Sequence, residues 1–229
     1  MSSNFKFLES HFPVLANFGG LAESYCYSDP NSCLMKLGMI GETIVNLMFT
    51  YDQIPVPYDN SAVNRINVLF SEGLLTKDLA DILHALRKVR NRAVHENYAE
   101  SSECPVCLEM AHSLSEWFMQ TYGDWNYQHH DFVMPSQSEP VVEATIEAEQ
   151  QEEELTKAAI EVAEKTEKVD KKVRQKQANK MASQRQKSEA ETRYMIDEQL
   201  RQVGWEANTQ ELRYSKGVRP AKGRNLAIA

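Results

Sequence analysis

The sequence predicts a mainly α-helical protein with three parts: an N-terminal helical bundle over residues 1–135, a long helical linker over 136–187, and an incomplete start of an α/β domain over 188–229. Three observations predict it. Apolar residues in the first part recur at three- and four-residue spacing, with no sustained two-residue alternation; that is the period of helices rather than strands. Residues 141–187 contain no Pro, Gly or aromatic residue and are dominated by Ala, Glu, Lys and Gln, which favour helix. From Ser188 onward an amphipathic helix gives way to a strand-like run and glycine-rich turns.

The elements follow in order. "NFKFLESHFPVLANF" reads as a short first helix, broken or entered at Pro13. In "DPNSCLMKLGMIGETIVNLMFTY", Asp29 is a suitable N-cap and Pro30 a suitable first helical residue, because the capping carboxylate accepts free N–H groups and proline lacks one. Leu34, Leu37, Ile40, Ile44, Leu47 and Met48 line its apolar face. "IPVPYDN" breaks the pattern, and "SAVNRINVLFSEG" forms a third helix stopped by Gly73. "TKDLADILHALRKVRNRAVHE" is a fourth, capped by Thr76, with Leu79, Ile82, Leu83 and Leu86 inward. "CPVCLEMAHSLSEWFMQTYG" is the fifth, with Leu108, Ala111, Leu114, Trp117 and Phe118 inward and Gly123 as its stop. Such helices pack ridges into grooves as a bundle.

In the linker, Val141, Ala148, Leu155, Val162 and Val169 lie seven apart. Their heptad partners, Ala144, Gln151, Ala158, Lys165 and Lys172, are mostly polar or small. The seam is too weak for a strong coiled coil, so a long, partly solvated helix is expected. In the last part Ser188 and Glu191 form a capping box for a helix ended by Gly204. "WEANTQELRYS" is strand-like, "KGVRPAKGRN" a basic loop and "LAIA" the start of another strand.

Charge is unevenly spread. Residues 1–135 carry 8 Lys/Arg against 16 Asp/Glu, while residues 188–229 carry 7 against 6. An acidic bundle is a poor non-specific phosphate binder. The one local basic cluster is Arg213, Lys216, Arg219, Lys222 and Arg224, with no acid among residues 213–229. No stretch reads as a signal peptide or a membrane span, so a cytoplasmic protein without membrane contact is expected. Four cysteines are too few for a disulfide framework. Phosphate-loop, nucleophile-elbow, H-E-x-x-H and dinucleotide fingerprints do not occur.

The segment "SEAETRYMIDEQLRQVGWEANTQELRYSKGVRPAKGRNLAIA" resembles the opening of the nuclease domain in R subunits of type I restriction enzymes. "DPNSCLMKLGMIGE", "LHALRKVRNRAVHENY" and "SLSEWFMQTYG" resemble the helical domain that precedes it in many such subunits. The resemblance covers nearly the whole chain. It implies a parent subunit that cleaves and translocates DNA using Mg2+ and ATP, in complex with modification and specificity subunits. The Asp and Glu-x-Lys metal site of that nuclease follows the "NLAIA" segment in the family and is not among these 229 residues. No cofactor is therefore expected in this chain, which should be inactive alone and act as a regulatory or assembly module. Glu191 matches a first-helix glutamate that joins the metal site in such nucleases; capping alone also explains it. The basic cluster from Arg213 to Arg224 can approach a DNA backbone, or serve only as a solubilising turn.

The bundle also resembles the HEPN superfamily, whose ribonuclease members carry an arginine and a histidine near a helix end, as Arg90 and His95 stand in "RNRAVHE". The resemblance implies metal-independent RNA cleavage, with His95 as general acid or base and Arg90 stabilising charge on phosphate, usually across a homodimer. Against it, residues five apart on one helix diverge by about 140°; Arg87, Asn91 and His95 share a face better, and Arg92 with Glu96 makes an i,i+4 pair. The alternatives to the restriction reading are thus a HEPN-type ribonuclease and a stand-alone defence module. "CPVC" (Cys104, Cys107) has zinc-ligand spacing, with Cys26, Cys33, His95 and His112 as possible further ligands; buried thiols are the plainer expectation. His129 and His130, in an aromatic tail, are expected to pack on the bundle.

Overall fold

The structure, a computed structural model, describes residues 3–95, 102–136 and 147–229. They form two compact units, Met1–Arg185 and Gln186–Ala229.

The first unit is helical: α1 Pro13–Tyr25, α2 Pro30–Tyr51, α3 Ala62–Ser71, α4 Lys77–His95, α5 Glu103–Tyr122, α6 Glu152–Lys165 and α7 Lys171–Gln184. A single 3-10 turn, Lys6–Leu8, precedes α1. The first helix therefore begins at Pro13 and runs past Phe18, through Gly19 and Gly20. Gly19 is bare because the Phe5 ring lies where its Cβ would stand. α2 starts as expected: Pro30 is its first residue and Asp29 accepts from Ser32 N at 3.1 Å. Ser61 caps α3, and Gly73 leaves it at φ +69°, a conformation open to glycine.

α2 is the central helix and packs against α1, α3, α4, α5 and α6. Among the described residues it alone is long and apolar enough to cross a bilayer, but 67% of that window is buried within the unit. The core joins its apolar face to Leu79, Ile82, Leu83 and Leu86 of α4 and to Leu108, Leu114, Trp117 and Phe118 of α5. Phe12 meets Phe118 with ring centroids 4.7 Å apart, and Phe118 stacks on Tyr122 at 4.9 Å. At roughly 1.5–3 kcal/mol per buried large side chain, this apolar layer dominates stability.

The long, partly solvated linker helix expected from the sequence is corrected in its continuity and its packing. Its described part is two helices inside the first unit. Thr166 turns extended after α6, and Asp170 caps α7 by accepting from Lys172 N (2.9 Å) and Val173 N (3.2 Å). Heptad residue Val162 is 54% exposed, whereas Ala159 and Ala163 are buried. Small residues let α6 lie close to α1 and α2, so the packed face is not the heptad face. Heptad positions Val141 and Ala144 lie outside the described residues.

In the second unit Ser188 caps α8 (Glu189–Gln202), and two short strands, β1 Glu206–Ala207 and β2 Leu226–Ala227, pair in parallel. The expected strand "WEANTQELRYS" stops after Ala207. Asn208 Oδ1 accepts from Gln210 N and Glu211 N at 3.0 and 3.1 Å, bending the chain out of extension. Asp197 of α8 holds that bend, accepting from Thr209 N at 2.6 Å and Oγ1 at 2.7 Å.

Candidate functional site

The C-terminal half of α4 carries the cationic face singled out in the sequence. Apolar residues every three or four positions turn one side of α4 into the core, which leaves Arg87, Arg90, Arg92 and His95 around its edges. The helix is unbroken through both Arg90 and His95, so these two project about 140° apart. Arg90 crosses α2 where Gly38 leaves room for it, and its Nη1 lies 3.1 Å from Glu42 Oε2. His95 is exposed. Arg92 donates from Nη2 to both oxygens of Glu103 at 2.7 Å, tying α4 to the start of α5. The expected partner Glu96 lies outside the described residues. Arg87 Nε is buried with no hydrogen-bond partner among the described residues, and burial together with Arg87 pushes the His84 imidazole below its ordinary range. One chain therefore does not bring Arg90 and His95 onto a common phosphate.

A second polar cluster gathers on α5. Glu116 is buried. Its oxygens take His129 Nδ1 at 2.7 Å, His130 N at 2.9 Å and Tyr127 Oη–H at 3.3 Å. His112, one turn before it, lies 3.9 Å away, enclosed by Phe5, Phe7 and Phe132. Burial lowers the His112 pKa, and Glu116 opposes that only in part. Residues 124–133 thus fold back onto the bundle, as expected for the two histidines. Asn4 completes the closure, accepting from Val133 N at 2.9 Å and donating to Val133 O at 2.8 Å.

Two further polar groups carried no sequence signal. Asp52, Tyr122 and Arg174 form a buried set: Tyr122 Oη–H donates to Asp52 at 2.6 Å, and the Arg174 guanidinium lies over the Tyr122 ring at 4.1 Å. Lys36 pairs with Glu152 and fixes the start of α6. Each joins residues more than 50 positions apart, and no local pattern encodes such a meeting. The four cysteines are buried, and Cys104 Sγ–H donates to Pro30 O at 3.7 Å. Among the described residues no group of three or more His, Cys, Asp or Glu is arranged to hold a metal ion.

In the second unit Glu191 is buried, and its N–H donates to the Ser188 hydroxyl at 3.0 Å. The basic cluster is partly engaged. Arg213 donates to Thr209 O, Lys216 pairs with Glu211 at 3.1 Å, Arg219 donates to Tyr214 O at 3.0 Å, and Arg224 pairs with Glu206. Lys216, Arg219, Lys222 and Arg224 are exposed, and the Lys216–Glu211 and Arg224–Glu206 pairs are screened by solvent and weak. Lys216 and Arg224 can therefore exchange their carboxylate partners for a phosphate at little cost.

A family model described as a domain of unknown function (DUF4145) matches residues 21–172. Among curated proteins, the endonuclease subunit of the type I restriction enzyme EcoKI from Escherichia coli (strain K12) is 27% identical over 280 aligned residues, which take in 99% of this chain and 24% of that protein. The chain thus spans about a quarter of the length of this relative, and the resemblance to type I restriction subunits read from the motifs is borne out. No solved structure gives a significant match.

Proposed function

The chain belongs to the DUF4145 family, and from that premise we propose that it serves as the N-terminal regulatory and assembly region of a type I restriction endonuclease R subunit. One observation carries the reading: similarity to such a subunit runs through 99% of the chain, across the helical unit and the C-terminal unit alike. In the parent protein, DNA cleavage and translocation would draw on Mg2+ and ATP held by other segments, with the modification and specificity subunits and DNA as partners, in the cytoplasm. We take the bundle to be of HEPN type and residues 186–229 to be the beginning of the nuclease domain; both assignments rest on residue resemblance.

The charge pattern supports a division of labour. The bundle and its tail are acidic, with 8 basic against 16 acidic residues in 1–135, which suits a protein partner better than DNA. The exposed Lys216, Arg219, Lys222 and Arg224 suit the backbone of DNA. The test is affinity purification of the chromosomally tagged product from its own cell, followed by identification of associated chains and an ATP-dependent cleavage assay on unmodified DNA. Co-purification of a DNA methyltransferase and a specificity subunit, with cleavage, is expected. Recovery of neither subunit, together with no cleavage, overturns the proposal.

A further inference from the structure

The net charge of residues 136–187 hides a split. They hold 10 basic and 11 acidic residues, and every acid precedes Lys171. Residues 171–188, which include all of α7, carry seven Lys or Arg and no acid. The rest of the chain has 18 basic residues against 33 acidic ones. The basic cluster at Arg213 to Arg224 is therefore not the only one in the chain. The two helices of this segment treat their lysines differently. In α6, Lys157 pairs with Glu153 at 2.6 Å and Lys165 with Glu161 at 3.4 Å, each one turn away. α7 holds no acid at that spacing. Its Lys171 reaches Glu72 of the bundle. Lys172, Lys176 and Lys180 are exposed, and none of them makes an ion pair among the described residues.

The packing of α7 decides where these lysines stand. Arg174, Ala178 and Met181 are buried and mark its inner face. Arg174 lies 3.4 Å from Asp52 and donates to Thr121 O. Gln175 donates to Glu72 O at 2.7 Å and Gln177 to Gln120 O at 2.8 Å. Trp117 Nε1–H donates to Ala178 O at 3.0 Å. These bonds run to α7 from two sides and fix its rotation about its own axis. At about 100° per residue, Lys172 and Lys176 stand about 160° around the axis from Arg174, and Lys180 about 120°. Steps of four residues set them about 6 Å apart along the axis. The result is a fixed row of three ammonium groups on the side of α7 that faces away from the bundle.

We propose that Lys172, Lys176 and Lys180 form a docking stripe for the phosphate backbone of double-stranded DNA. The choice of DNA as the polyanion rests on the restriction-subunit reading above. An ammonium on a flexible stem meets phosphate as a point charge, so the stripe holds the backbone without reading bases. The lysines of α6 already have glutamate partners; those of α7 take phosphate in that place and release its counterions. The acidic surface of the bundle repels DNA elsewhere and confines its contact with this unit to the outer face of α7.

The experiment titrates the full chain against a short labelled DNA duplex of arbitrary sequence and follows fluorescence anisotropy from about 25 to about 200 mM NaCl. Each phosphate contact adds about 0.9 to the slope of log affinity against log salt. Combining Lys172→Gln, Lys176→Gln and Lys180→Gln should lower that slope by about 2.7 and leave the melting temperature unchanged. If the triple variant fails to fold, each single substitution should lower the slope by about 0.9. Lys157→Gln with Lys165→Gln should leave the slope as it is. No binding of the unaltered chain at the lowest salt, an unchanged slope in the α7 variants, an equal loss in the α6 variant, or binding to phosphatidylserine vesicles without binding to the duplex overturns the proposal. An unchanged slope beside a purified complex that cleaves DNA sinks the stripe and leaves the restriction reading standing. A lowered slope without such a complex does the reverse.

Discussion

Arg174 and Asp52, 122 positions apart in the chain, meet in the interior with Nε 3.4 Å from Oδ1, their side chains 3% and 6% exposed. Arg174 also donates to Thr121 O and stacks on Tyr122. Burial raises the Asp52 pKa, although Tyr122 and Arg174 both favour its charged form. The pair fastens α7 to the bundle.

Breaking such a pair leaves an uncompensated charge in the interior. Asp52→Asn should therefore cost about 3–5 kcal/mol of stability. Asp52→Asn with Arg174→Met should recover much of that, because no buried charge remains. Urea denaturation of the three proteins checks this; a double variant no more stable than Asp52→Asn would refute the assignment.

The α2–α4 crossing makes a sharper contrast between neighbouring glycines. A Cβ on Gly38 would overlap the Arg90 side chain near its root, whereas one on Gly41 meets Leu83 and Leu86 at 3.5 and 3.7 Å, ordinary contact distances. Gly38→Ala should destabilise by about 1–3 kcal/mol. Gly41→Ala should be neutral, or stabilising by up to about 1 kcal/mol, since it removes helical glycine. Thermal melts of the two variants decide it.

Acid should weaken the fold in a defined window. His112 is 3% exposed and its folded pKa is lowered. The unfolded chain takes up a proton near the ordinary value of about 6.5 while the folded chain does not. The unfolded state then binds more protons, so stability is fully present above that pH and falls as pH drops below it. His84, also lowered, acts in the same direction. Urea melts from about pH 8 to about pH 5 should show this slope, and His112→Gln should make it shallower.

Arg90 is paired with Glu42 and diverges from His95. Purified protein in EDTA should leave single-stranded RNA intact, and His95→Ala should change neither that result nor the melting temperature. RNA cleavage that disappears in His95→Ala would instead establish a ribonuclease site assembled between two chains.

The sequence by itself determined the helical class, the N-cap at Asp29, the stop at Gly73, the apolar faces of α2, α4 and α5, and the resemblance to restriction subunits. These rest on local spacing, capping chemistry and motif order, which are written along the chain. Only the tertiary structure decided that the supposed linker packs on the bundle and that Arg174 and Lys36 find Asp52 and Glu152. Val162 carried the heptad signal and stays exposed, while Ala159 and Ala163 are buried. The physical reason is that the heptad rule reads hydrophobicity along one helix. Which face is covered depends on how closely another helix can approach, and alanine permits that approach without a sequence signal of its own.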